Sequence, residues 1–176
     1  EVIVATDDPR IAKAVQQFGG ISVMTSEQCA SGTDRVAEVA RTVGGADDQV
    51  FVNVQGDEPA IHPESLAALA RAFARPEIAM ATLVRPLLAD ERPNPNVVKV
   101  VLDAQSSALY FSRADIPFQR DPGAELLQRW AHLGIYGYRR KTLLTLADLA
   151  PTALERTESL EQLRALFHGV RIHCEP

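Results

Sequence analysis

Gly56-Asp57-Glu58-Pro59 follows the apolar run Val50-Phe51-Val52-Asn53-Val54-Gln55. In an open α/β sheet, ligands sit beyond the carboxyl ends of the strands. Gly56 would let a ligand approach the backbone there, and Asp57 would present a carboxylate with Glu58 beside it. A hard oxygen donor suits Mg²⁺ bound together with substrate phosphates, because Mg²⁺ keeps few protein ligands. The same two acids could instead cap the helix that follows. A second group is Ser31-Gly32-Thr33-Asp34-Arg35. Small residues at a helix start expose backbone N–H groups that can hold an anion or a base. Arg35 could clamp a carboxylate or phosphate with two parallel bonds. The competing reading is a capping box of Ser31 with Asp34 and a solvated arginine. A third pair, His132 and Tyr136, stands four apart on an extended segment and so on one face. Polar tips on apolar bodies suit a sugar hydroxyl, and equally suit ordinary aromatic packing. Lastly, Glu161 and Gln162 flank a helical stripe of Leu160, Leu163 and Phe167. They could line a polyol pocket or a solvated face. His62, His168 and His173 have no such company.

These residues need elements to hold them. Val2–Ala5 reads as a strand, and Asp8-Pro9 starts a helix that stops at Gly19-Gly20. Ile21–Met24 is the next strand. Ser31 opens a helix ended by Gly44-Gly45. Val50–Val54, nearly all apolar, reads as a central strand covered on both faces. Pro63–Ala74 reads as a helix. Strands alternating with helices indicate βαβ units. Then the style changes: Met80–Val84, Val97–Leu102 and Ala108–Ser112 read as an antiparallel extension, with a turn at residues 103–107. Gly134–Tyr138 reads as a short strand where glycines permit close approach. Arg140–Leu149 and Glu158–Phe167 read as helices. The expectation is one α/β domain, residues 1–176, with a mixed sheet.

The chain has 176 residues, 46% hydrophobic and 23% charged, which excludes a disordered chain or a disulfide-rich miniprotein. Its net charge of −5 argues against general nucleic-acid binding. Cys29 and Cys174 lack a second thiol at metal-ligand spacing and read as free thiols of a cytoplasmic protein. No apolar run is long enough for a membrane span. The sequence opens on an apolar strand and closes beside another, so a piece of a longer chain is expected, with its first strand at or near an uncovered edge.

Taken in order, Val4-Ala5-Thr6-Asp7, residues 31–35, Val52-Asn53-Val54-Gln55-Gly56-Asp57-Glu58-Pro59, Met80-Ala81-Thr82-Leu83, residues 94–101, residues 110–117, His132-Leu133-Gly134-Ile135-Tyr136-Gly137-Tyr138-Arg139 and residues 158–164 closely resemble the CMP-Kdo synthetase family, the 3-deoxy-manno-octulosonate cytidylyltransferases. The run from Asn53 to Pro59 is the most diagnostic. The resemblance implies a Rossmann-like mixed sheet with helices on both faces, of nucleotide-diphospho-sugar transferase (glycosyltransferase-A-like) architecture. It implies that CTP and the sugar acid Kdo give CMP-Kdo and pyrophosphate for lipopolysaccharide synthesis, in a cytoplasmic, Mg²⁺-dependent homodimer. By the same resemblance, Asp57 is a magnesium ligand and, with Arg35, catalytic. Arg35 answers the sugar carboxylate. Gln55, His132, Tyr136, Glu161 and Gln162 surround the sugar acid, and Ser31 and Gly32 lie near the nucleotide. The family's Pro-Ala-Arg and Arg-Leu-Pro-Gly-Lys phosphate loop and its Asp-Thr-Pro-Glu-Asp-Leu segment, with a second metal-ligating aspartate, are absent from these residues. Cys29-Ala30 stands where the family is more polar. Two other readings stay open: a non-catalytic remnant that binds the acid or only dimerises, and a cytidylyltransferase for another sugar acid.

Overall fold

The computed structural model describes residues 1–56, 61–121 and 128–176. Asp57 and Glu58 therefore lie outside the described residues. The chain begins as a β-α-β unit: β1 (Ile3–Thr6), α1 (Pro9–Gln17) and β2 (Ile21–Met24). Asp8 caps α1 by accepting from the Arg10 N–H at 2.8 Å, with Pro9 in the first turn. β1 and β2 pair in parallel as a two-stranded sheet, so β1 carries one unpaired edge among the described residues. Next come α2 (Gly32–Val43), β3 (Val50–Asn53) and α3 (Pro63–Ala72). The N-cap of α3 is His62.

The remaining strands are β4 (Met80–Pro86), β5 (Lys99–Leu102), β6 (Ala108–Ser112) and β7 (Trp130–Arg139). Helices α4 (Arg140–Ala147), α5 (Ala153–Glu158) and α6 (Gln162–Phe167) follow, then β8 (His173–Glu175). The main sheet runs β6-β5-β7-β4-β8, with β3 also paired to β7. Only β4–β8 is parallel within it, so the sheet is mixed as expected. Helices cover both faces. On one, Met80 and Val84 pack with Ala37, Ala40, Leu143 and Leu163 from α2, α4 and α6. On the other, Ala81 and Leu83 meet Leu69, Ala72 and Phe73 at α3. Gly137 of β7 admits that second layer, since a Cβ there would lie 2.5 Å from the Phe73 ring. No helix among the described residues is long and apolar enough to cross a membrane.

Three readings of elements need correction. β3 is not a central strand covered on both faces: among the described residues it pairs with β7 alone, antiparallel, and Val52 and Val54 are exposed. An unbroken apolar run cannot by itself distinguish these environments. β7 spans ten residues, not five, because its polar and glycine positions are held by pairing along β4. The helix expected over residues 158–167 is two helices broken at Ser159, whose φ is +50°. Thr152 and Glu155 form a reciprocal capping box on α5. Leu160 and Leu163 are buried across the break, whereas Phe167 is 64% exposed. Helical spacing persists through such a break, so periodicity does not reveal it.

Candidate active site

The first turn of α2 is the centre of the site. Ser31 is its N-cap, extended in backbone, and its Oγ accepts from the Asp34 N–H at 3.1 Å. This is one half of the expected capping box, since among the described residues the Asp34 carboxylate does not bond back to the Ser31 N–H; the hydroxyl also donates to Glu161 Oε1 at 2.7 Å. Thr33 Oγ1 donates to Glu161 Oε2 at 3.1 Å and lies 3.3 Å from the Tyr138 hydroxyl. With the threonine proton spent on the carboxylate, Tyr138 is the donor of that last bond. Glu161, just ahead of α6, is thus tied to the start of α2. Burial pushes its carboxyl up, against the lowering effect of the Ser31 and Thr33 bonds.

Gly32 lets the end of β3 come close. A Cβ there would stand 2.8 Å from Gln55 Nε2 and 3.3 Å from Asn53 Nδ2. The Asn53 Nδ2 is buried with no hydrogen-bond partner. Arg35, one turn in, is not the solvated side chain of the competing reading. It donates to Thr25 Oγ1 at 2.5 Å and pairs with Asp7 at 2.7 Å, joining the ends of β1 and β2. Among the described residues, no hydrogen bond, ion pair or ring contact links Arg35 to the Glu161 group.

His132 and Tyr136 do share a face, but strand geometry alone would set positions four apart by about 13 Å. Their ring centroids are 5.3 Å apart. The cause is an irregularity in the β4–β7 ladder. Consecutive Thr82 and Leu83 pair with Tyr136 and Leu133, so Gly134 and Ile135 are extra residues on β7. Such bulges bend a strand and re-aim its side chains. Tyr136 in turn stacks with Tyr138 at 6.0 Å. Burial holds the His132 imidazole down at about 3, keeping it neutral, and pushes both tyrosine hydroxyls up.

A shallow cleft lies between these elements. Tyr136, Tyr138, Thr33, Glu161, Gln162 and Arg164 form its polar wall. Gln162, 6% exposed, has an Nε2 with no partner. It does not merely flank the apolar stripe; it is buried with it, at the head of α6. Arg164 is buried and bonded to Glu155 at 2.6 and 2.9 Å. Thus Tyr136, Glu161 and Gln162 line one cleft, Ser31 is joined to it through Glu161, His132 adjoins it through Tyr136, and Gly32 and Gln55 meet at the start of α2. Thr33, Tyr138 and Asn53 were not among the expected site residues. Tyr138 had a signal, since residues two apart on a strand share a face. Thr33 had its place between Gly32 and Asp34. Asn53 had none, because only tertiary packing strands its amide. Among the described residues no three His, Cys, Asp or Glu side chains gather to hold a metal.

The Cytidylyltransferase family model matches residues 1–172. The chain is 59% identical to the 3-deoxy-manno-octulosonate cytidylyltransferase of Myxococcus xanthus over 99% of its length, and 49% identical to that of Nitratidesulfovibrio vulgaris over 100%. It spans 70% and 71% of those proteins. Among solved structures, CMP:2-keto-3-deoxy-manno-octonic acid synthetase complexed with CTP superposes with a TM-score of 0.91 at 43% identity, covering 99% of this chain and 70% of that one. The inositol-1-phosphate CTP transferase from T. maritima, at 15% identity and a TM-score of 0.60, shares the fold.

Proposed function

The chain belongs to the cytidylyltransferase family, and from that membership we infer that it activates 3-deoxy-manno-octulosonate (Kdo) with CTP, giving CMP-Kdo and pyrophosphate for lipopolysaccharide synthesis. The observation that carries the reading is identity of 59% to an enzyme of that name over 99% of this chain. The cleft supports it chemically. Its wall combines stacked aromatic rings with a carboxylate, an unpaired buried amide and hydroxyls, which is the donor and acceptor mixture a polyhydroxylated acid needs.

In the reaction, the anomeric hydroxyl of Kdo attacks the α-phosphorus of CTP in line. A new O–P bond forms, the bond to pyrophosphate breaks, and the hydroxyl proton is lost to solvent or base. The work of the protein is positioning and charge stabilisation. Gln162 Nε2 and the Tyr136 hydroxyl would donate to sugar oxygens. Glu161 would accept from sugar hydroxyls with the capacity that Ser31 and Thr33 leave free. Gln55, packed on Gly32, would bridge sugar and nucleotide, and Ser31 and Gly32 would present the start of α2 to the nucleotide. Arg35 would answer the sugar carboxylate, exchanging one of its bonds to Asp7 or Thr25. Mg²⁺ belongs to the same proposal, with Asp57 as its protein ligand, and would neutralise phosphate charge. The described residues assemble no metal cage of their own. A single domain, a homodimer and a cytoplasmic setting are parts of the same proposal.

The test is pyrophosphate release from CTP with Kdo, compared with other ulosonic acids. Turnover with Kdo alone supports the reading. Preferential turnover of another acid would reassign the substrate, and binding without turnover would favour a remnant.

A further inference from the structure

The irregularity that brings His132 to Tyr136 leaves two β7 carbonyls, those of Leu133 and Ile135, pointing at one β4 side chain. Thr82 Oγ1 lies 3.2 Å from the Leu133 oxygen and 2.7 Å from the Ile135 oxygen. It is also 2.9 Å from His132 Nε2. Thr82 is fully buried, so no solvent shares in this arrangement.

A hydroxyl has one proton, and carbonyl oxygens only accept. An oxygen–oxygen separation of 2.7 Å needs a proton between the atoms, so the Thr82 proton goes to Ile135. Nothing is left for the hydroxyl to give His132. Nε2 must therefore carry a hydrogen and donate it to Thr82 Oγ1. Burial keeps the ring neutral, with its proton affinity held down to about 3. Nδ1 is then bare. Among the described residues no group bonds it, and the buried unpaired side-chain atoms are Asn53 Nδ2 and Gln162 Nε2 only. His132 Nδ1 is therefore an open acceptor.

We propose that Thr82 is a positioning residue of the sugar-acid site: it fixes His132 as the Nε2–H tautomer, so that Nδ1 accepts from a substrate hydroxyl and disfavours a carboxylate or phosphate oxygen. The selection follows from lone-pair repulsion, since two acceptors facing each other leave both unpaired. This rests on the reading that His132 faces the sugar acid.

The test compares Thr82→Val, which keeps the shape and deletes the hydroxyl, with Thr82→Ser, which restores it. In ¹⁵N-labelled protein without substrate, the imidazole nitrogen shifts of His132 report the tautomer. The expected result is Nε2–H in wild type and Thr82→Ser, and a mixture or the reverse tautomer in Thr82→Val. Retention of pure Nε2–H in a folded Thr82→Val protein overturns the proposal. In turnover assays, Thr82→Val should raise the KM for Kdo roughly tenfold, the effect of one hydrogen bond, with Thr82→Ser close to wild type. The KM for CTP should change by less than about twofold. A switched tautomer with unchanged Kdo KM also overturns the positioning role. His132→Ala separates the underlying reading: if it too leaves the Kdo KM unchanged, His132 does not face the sugar, whatever its tautomer. Should Thr82→Val unfold, the serine variant decides, because it must keep both the tautomer and the KM.

Discussion

The carboxylate of Glu161 is bonded by Ser31 and Thr33 before any ligand arrives, whereas the amide of Gln162 beside it is unpaired. A buried donor left unpaired costs on the order of 1–3 kcal/mol, which a ligand oxygen would recover. Neighbouring side chains thus differ: one is already bonded within the protein, and the other keeps a free buried donor. Arg35 follows the first pattern, since its bonds to Asp7 and Thr25 are already made. Arg35→Lys keeps the charge but loses the planar fork, so the KM for Kdo should rise while CTP binding holds. Collapse of CTP binding alone would make Arg35 a phosphate residue. Asp57→Asn keeps the shape of the proposed magnesium ligand without its charge. Turnover should fall by at least about a hundredfold, the scale of a lost electrostatic contact, with the unfolding midpoint unchanged. Near-normal rates at saturating Mg²⁺ would remove that role. His132 makes a prediction about acid. Its folded value of about 3 lies below the ordinary 6.5, so between those values the unfolded chain binds the proton and the folded chain does not. Stability from this group is full above about pH 6.5 and declines as pH falls toward 3. His132→Gln should flatten the fall in urea midpoint between pH 7 and pH 4.5 relative to wild type. An identical slope in both proteins would contradict the burial argument.

Elements set the distances that these side chains use. The start of α2 meets the end of β3 because Gly32 has no Cβ, and the two neighbours it admits are Gln55 and Asn53. In Gly32→Ala the new methyl displaces the Gln55 amide, which is the mobile end of a long side chain. Folding should survive within about 1–2 kcal/mol, the lower range for overpacking, while turnover drops as Gln55 moves. A variant with wild-type turnover would show that Gln55 does not work from that position. The bulge between β4 and β7 serves the other wall. Without Gly134 and Ile135 as extra residues, His132 and Tyr136 would stand apart on a regular strand. The break at Ser159 has a similar effect, for it separates α5 from α6 and sets Glu161 and Gln162 at the head of a new helix.

On the scale of the whole molecule, the β1–α1–β2 unit and the main sheet differ in how deeply they are buried. No residue of β2 is buried and only Thr6 of β1 is, whereas Met80 to Val84 of β4 are buried without a gap. Local opening is easiest where few apolar groups are covered. Backbone amides of β1 and β2 should therefore exchange with solvent well before those of β4 and β7, as measured by native-state hydrogen exchange. Equal protection across both sheets would contradict this division. Much of the molecule was legible in the sequence. Asp8-Pro9 and Ser31 mark helix starts by their caps, short runs rich in apolar residues mark β4 to β6, and the ordered motifs carry the family. Such signals are local, set by backbone sterics and side-chain reach within a few residues. Tertiary structure alone decided the pairing of β3 with β7, the bulge that closes His132 on Tyr136, the union of Ser31 and Thr33 with Glu161, and the buried amides of Asn53 and Gln162. Each depends on groups from distant parts of the chain meeting in one place, and the spacing of residues along a chain does not encode which distant partner arrives.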